Sequence, residues 1–90
     1  DPLGKQAQQV LKTDNYQVWM KAMEDGSKVI GLFNLSGKDD VIRFHWSDIS
    51  VGSSQLVRDL WRQKDLGTFK GMFASKVAAH GVTLIKITEK

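Results

Sequence analysis

The sequence predicts an all-β domain: an antiparallel two-sheet β-sandwich of about seven to eight strands with Greek-key-like connections. Three observations carry this expectation. Short segments rich in β-branched and aromatic residues recur at near-regular spacing, each bounded by Gly, Asp, Asn or Ser. No stretch sustains the apolar period of an amphipathic helix. The 90 residues are 41% hydrophobic with a formal net charge of +3, which suits one small globular domain and is too apolar for a disordered chain.

The chain opens on Asp1-Pro2 rather than Met, as expected of a piece of a longer protein. Residues 1–13, DPLGKQAQQVLKT, begin with a turn-like Asp-Pro-Leu-Gly and hold only a short, uncapped Gln6–Leu11 segment, so they read as a linker. The sandwich is expected over residues 14–90. Tyr16–Met23 is the first strand, with Val18, Met20 and Ala22 on one face and Trp19, Lys21 and Met23 on the other. Glu24-Asp25-Gly26-Ser27 is a hairpin turn, because Gly accepts the positive φ that tight hairpins need. Lys28–Leu35 is nearly continuous in apolar residues and is expected to be buried on both faces.

Ser36–Asp40 is a second turn. Val41–Trp46 alternates, and Ile42, Phe44 and Trp46 form its core-facing set. Ser47–Ser54 reads as a polar loop anchored by Ile49 or Val51. Leu56–Phe73 is the organising stretch: a strand over Leu56–Trp61, a turn over Gln63–Gly67, and a strand over Thr68–Phe73 that places Phe69, Gly71 and Phe73 on one face. It is expected to be a central hairpin against which the other strands pack. A short edge strand around Lys76–Ala78, a turn at His80-Gly81 and a β-branched strand over Val82–Thr88 close the domain.

Chemistry is hard to place on this pattern. The chain has no cysteine, which excludes disulfides and thiolate metal sites and leaves the compartment open. His45 and His80 stand on different elements, so no metal or cofactor site is expected from them. Asp39 and Asp40 are neighbours in a turn, and Asp59 and Asp65 lie beside Arg58, Arg62 and Lys64, where ion pairs are the simpler use than a carboxylate pair for glycoside hydrolysis. No serine stands in a nucleophile elbow, and Gly67-x-x-x-Gly71 lacks the ending of a phosphate loop. The basic residues are interspersed with acidic ones, which argues against a nucleic-acid partner. No apolar run approaches the ~20 residues that cross a bilayer, so no membrane partner is expected. Trp19, Trp46 and Trp61 are the candidate sugar-stacking residues, since an indole face fits the apolar face of a sugar ring; filling the core is the plainer use of all three. Asn34-Leu35-Ser36 is a glycosylation sequon, taken as a chance match.

The order of motifs then carries a resemblance. Asp1-Pro2-Leu3-Gly4-Lys5-Gln6, Tyr16-Gln17-Val18-Trp19, Asp25-Gly26-Ser27, Val57-Arg58-Asp59-Leu60-Trp61 with Lys64-Asp65-Leu66-Gly67, and His80-Gly81-Val82 together resemble the end of the α-galactosidases of glycoside hydrolase family 27. The resemblance covers essentially the whole chain, and the opening hexapeptide is its most specific part. It implies a terminal β-sandwich domain preceded by a catalytic (β/α)8 barrel. The family's two catalytic aspartates lie on barrel strands upstream of Asp1, so no catalytic role carries over to any residue here. Residues 1–13 would lead in from that barrel. Many members have Pro where this chain has Ala22. The domain is also similar to that of α-N-acetylgalactosaminidases, which leaves the sugar open. The resemblance thus implies a non-catalytic accessory domain whose partner is the barrel of its own parent chain, with a galactoside-binding module as the alternative.

Overall fold

The computed structural model describes residues 6–90; the first five residues of the opening hexapeptide lie outside them. Eight strands appear among the described residues: β1 Gln8–Lys12, β2 Tyr16–Ala22, β3 Lys28–Asn34, β4 Asp40–His45, β5 Ser54–Asp59, β6 Lys64–Lys70, β7 Met72–Val77 and β8 Val82–Glu89, with one 3-10 turn over Trp46–Ile49. Every pairing is antiparallel. A six-stranded sheet runs β1-β2-β3-β8-β5-β6, and a two-stranded sheet pairs β4 with β7.

The β2–β3 hairpin forms where the turn chemistry asks for it. The Gly26 N–H donates to the Met23 carbonyl at 3.2 Å, and the Met23 N–H donates to the Ser27 carbonyl at 2.8 Å. Gly26 sits at φ 89°, the left-handed residue that closes a three-residue hairpin loop. Ala22 ends β2 opposite Lys28. Along β3, Ile30 and Leu32 face the sandwich interior, and Val29, Gly31 and Phe33 face away from it. Both faces of the strand are largely buried, as the continuous apolar run requires.

The connections cross between the sheets: β5 and β6 are consecutive neighbours, β7 crosses to pair with β4 in the second sheet, and β8 returns to lie between β3 and β5. The corner is Gly71, at φ 81°. Its N–H donates to the Ser53 carbonyl at 2.7 Å and its carbonyl accepts the Trp46 N–H at 2.9 Å, so this residue carries the chain from one sheet to the other.

Between the sheets lies one core, built on Val18, Ile30, Leu32, Ile42, Phe44, Trp46, Ile49, Val57, Phe73, Val77, Ile85 and Ile87. Its centre is aromatic. Trp46 stacks on Phe73 with centroids 5.7 Å apart, and Phe44 meets Trp46 edge-on at 5.6 Å. The Trp46 indole N–H donates to the Phe69 carbonyl at 3.0 Å. Ile49, on the 3-10 turn, is buried, and Val51 is half-buried.

Four expectations are corrected. The hairpin within Leu56–Phe73 is not central: β6 is an edge strand, and β3 and β8 hold the middle of the sheet. Its turn falls at residues 60–63, earlier than the polar Gln63–Gly67 run, because the Asp59 side chain caps the backbone there. Phe69 and Phe73 lie on different strands in different sheets, yet their rings meet at 5.1 Å because Gly71 folds the chain between them. Finally, Gln8–Lys12, expected in a linker, pairs with β2 as an edge strand. A polar, largely exposed edge strand has almost no apolar alternation for a sequence reading to find.

Candidate functional site

The titratable side chains are dispersed, and several carboxylates are already engaged. His45 is exposed on β4, with its Nδ1 3.7 Å from Asp48 Oδ2. His80 occupies a left-handed turn at φ 53°. The Asp39 carboxylate accepts the Ala79 N–H at 3.0 Å, and that of Asp40 accepts the Val41 N–H at 2.8 Å. Asp65 accepts from Arg58 Nη1 at 2.8 Å. Each carboxylate thus shapes a turn or pairs with a cation. No group of three or more His, Asp or Glu residues gathers as a metal site among the described residues, and no described helix is long and apolar enough to cross a membrane.

The three tryptophans separate cleanly. Trp46 is fully buried, Trp19 is half-buried, and Trp61 is 66% exposed. The expectation that all three fill the core therefore fails at Trp61 and also at Trp19, which packs outside that core. Trp46 has no face left for a sugar. Trp19 lies on the outer face of the six-stranded sheet and donates its indole N–H to Gln17 Oε1 at 3.0 Å.

That outer face is the unusual feature of the domain. It carries a second apolar cluster, Val29 and Leu84 buried at its centre and Trp19, Phe33, Leu60 and Ala7 packed against them. The register explains the grouping: Trp19 lies opposite Gly31, and Gly31 opposite Leu84, so the absent side chain at Gly31 leaves room between two large ones. Leu60 joins from the β5–β6 turn, held by its N–H donating to the Leu84 carbonyl at 3.0 Å. Beside the cluster, a groove of ≈ 580 Å³ is lined by Lys21, Met23, Asp25, Val29, Leu60 and Lys86, among others. The Asp25 carboxyl is held below its usual pKa, first by hydrogen bonds from the Ser27 hydroxyl and N–H and then by Lys86. A depressed carboxyl contributes stability that is present above its unfolded value and lost as pH falls through the folded one. The small destabilisation expected of Asp25→Ala in urea unfolding should therefore be present near neutral pH and shrink below about pH 4. A difference that grows on acidification would refute this assignment.

Sequence reasoning missed this face as a site: it set Trp19 on the strand face away from Val18 and Met20 without assigning that face to the outside, and read Lys28–Leu35 only as buried on both faces. It also missed Leu60 and Ala7, which lie in segments read as strand and linker.

Residues 13–87 match the family described as the alpha galactosidase C-terminal beta sandwich domain. The chain belongs to this family. A Dictyostelium discoideum protein named "Probable alpha-galactosidase" is 32% identical over 94 residues, covering 98% of this chain and 24% of that protein. The alpha-galactosidase of Cyamopsis tetragonoloba is 26% identical over 92 residues, covering 100% of this chain and 22% of that protein. The chain thus spans about a quarter of the length of these relatives. Among solved structures, alpha-galactosidase I from Mortierella vinacea superposes with a TM-score of 0.86 at 30% identity, over 93% of this chain and 23% of that one. A GH27-b-L-arabinopyranosidase from Geobacillus stearothermophilus, in complex with arabinose, gives 0.87 at 28% identity, over 93% and 20%. This C-terminal sandwich domain therefore recurs in proteins named for different sugars.

Proposed function

We propose that this domain is a non-catalytic accessory domain of an α-galactosidase-like retaining glycoside hydrolase, and that it packs on and stabilises the catalytic barrel of its own parent chain. The supporting observation is the second apolar cluster, on the sheet face opposite the sandwich core. An apolar cluster on an outer face marks an interaction surface more often than a requirement of the fold. Removing residues 6–90 from the parent enzyme is expected to lower its thermal midpoint and speed its inactivation. Unchanged stability after the deletion would sink the proposal, as would hydrolysis of an aryl α-galactoside by the 90-residue chain alone.

A galactoside-binding module is the second reading, and Trp61 is the one tryptophan whose exposure supports it. Two of the charged side chains beside it, Asp59 and Arg58, are already committed to the turn. Asp59 Oδ1 accepts the N–H groups of Trp61 and Arg62, and Arg58 serves Asp65 and the Gln63 carbonyl. An NMR titration with galactose and melibiose at millimolar concentration is therefore expected to leave the Trp61 indole N–H signal unmoved. A saturable shift would make the domain a carbohydrate-binding module instead.

A further inference from the structure

We propose that Trp61 is the anchor residue through which this domain docks on the barrel of its parent chain, an inference that rests on the accessory-domain reading. The β5–β6 turn presents the indole at 66% exposure, the most exposed large apolar side chain among the described residues. The backbone of the turn that carries it is ordered by side-chain hydrogen bonds. Asp59 Oδ1 accepts the Trp61 N–H at 2.9 Å and the Arg62 N–H at 3.0 Å. Arg58 Nη2 donates to the Gln63 carbonyl at 2.9 Å while its Nη1 bonds Asp65 at 2.8 Å. Gln63 takes a left-handed φ of 52°, a conformation that a non-Gly residue adopts at a cost. An ordered turn backbone lowers the ordering cost of binding, and Trp is among the residue types enriched at interface hot spots.

The occupant follows from the surroundings. The neighbouring residue, Leu60, packs into the outer-face cluster, and Trp61 follows it in the same turn. Ala7, on the segment that enters the domain, packs into the same cluster. The family is a C-terminal domain, and its relatives are about four times as long as this chain. The segment that enters the domain and the turn that carries Trp61 thus meet on one cluster, through Ala7 and Leu60, and tethering gives the rest of a longer chain a high effective concentration there. A free sugar has no such tether.

The test is oxidative footprinting of Trp61 in the full-length parent enzyme and in the 90-residue chain, with the parent variants Trp61→Ala, Arg62→Ala and a deletion of residues 6–90. Trp61 is expected to oxidise about tenfold or more slowly in the parent than in the isolated chain. Trp61→Ala should speed thermal inactivation of the parent about tenfold or more, the scale of a truncated hot spot, and Arg62→Ala, equally exposed one residue on, should not. Equal oxidation rates in the two chains would overturn the inference, even where the deletion destabilises the parent and leaves the accessory role intact. Protection that appears only with added melibiose would assign Trp61 to a sugar and overturn it. Protection that depends on protein concentration would assign it to a second copy and overturn it as well.

Discussion

Trp46→Ala is expected to destabilise the domain by about 3–5 kcal/mol, the usual cost of deleting a buried tryptophan. A domain of this size has roughly 5–14 kcal/mol in total, so the variant should be near the edge of folding at 37 °C. Three contacts combine at this side chain. It is fully buried between the sheets, it stacks on Phe73 and meets Phe44 edge-on, and its N–H satisfies the Phe69 carbonyl at 3.0 Å. The last bond ties edge strand β6 to the 3-10 turn. Trp46→Phe separates the contributions: it keeps most of the apolar volume and loses the hydrogen bond, and about 1–3 kcal/mol is expected. Urea unfolding followed by far-UV circular dichroism measures both. A loss under about 1 kcal/mol for the alanine variant would mean that the core closes without this ring. That result would contradict the packing described here.

The same aromatic cluster shows what the sequence could and could not say. Ile42, Phe44 and Trp46 were legible as one face because β4 alternates strictly. The Gly26 turn was legible because a tight hairpin admits few residues at that position. Phe69 and Phe73 were correctly brought together for an incorrect reason: strand alternation suggested a common face, whereas a sheet-switching corner at Gly71 supplies the contact. The fate of Trp61 was not legible. Leu60-Trp61 offers two adjacent apolar side chains to one core, and only the Asp59 carboxylate, by capping two backbone N–H groups, decides that Leu60 turns inward to the outer-face cluster and Trp61 turns out. Side-chain capping of this kind depends on local geometry, which periodicity does not encode. The outer-face cluster was missed for a related reason. Its members come from segments distant in sequence, and one of them, Ala7, stood in a stretch read as linker.

Asn34 is the second position where a large effect is expected, and there the outcome depends on the sense of hydrogen bonding rather than on volume. The residue is 3% exposed at the end of β3. Its Nδ2 donates to the Lys38 carbonyl at 2.9 Å and to the Val77 carbonyl at 3.0 Å, and its Oδ1 accepts the Ser36 N–H at 2.9 Å and the Ser36 hydroxyl at 2.8 Å. Two carbonyls on one side and two donors on the other fix the amide orientation. The side chain thereby joins β3 and the β3–β4 turn to β7 in the opposite sheet. Both amide hydrogens of the sequon's Asn34 are thus used inside the fold, and a glycan there would replace one of them at a 3% exposed site. Asn34→Ala leaves the buried Val77 carbonyl without this donor, while the more exposed Lys38 carbonyl keeps the Ser36 hydroxyl, so the cost should be about 1–3 kcal/mol for the one group stranded. Asn34→Asp keeps the shape and should cost more near neutral pH, because a carboxylate donates nothing and sets its charge against two carbonyl oxygens. Burial beside those oxygens favours the protonated acid, which regains one donor. The Asp variant, alone among these, should therefore gain stability relative to wild type as the pH is lowered from 7 toward about 5. Urea midpoints across that range decide the matter. An Asp variant as stable as wild type at neutral pH, or one that loses ground on acidification, would show that the amide does not bridge the two sheets as described.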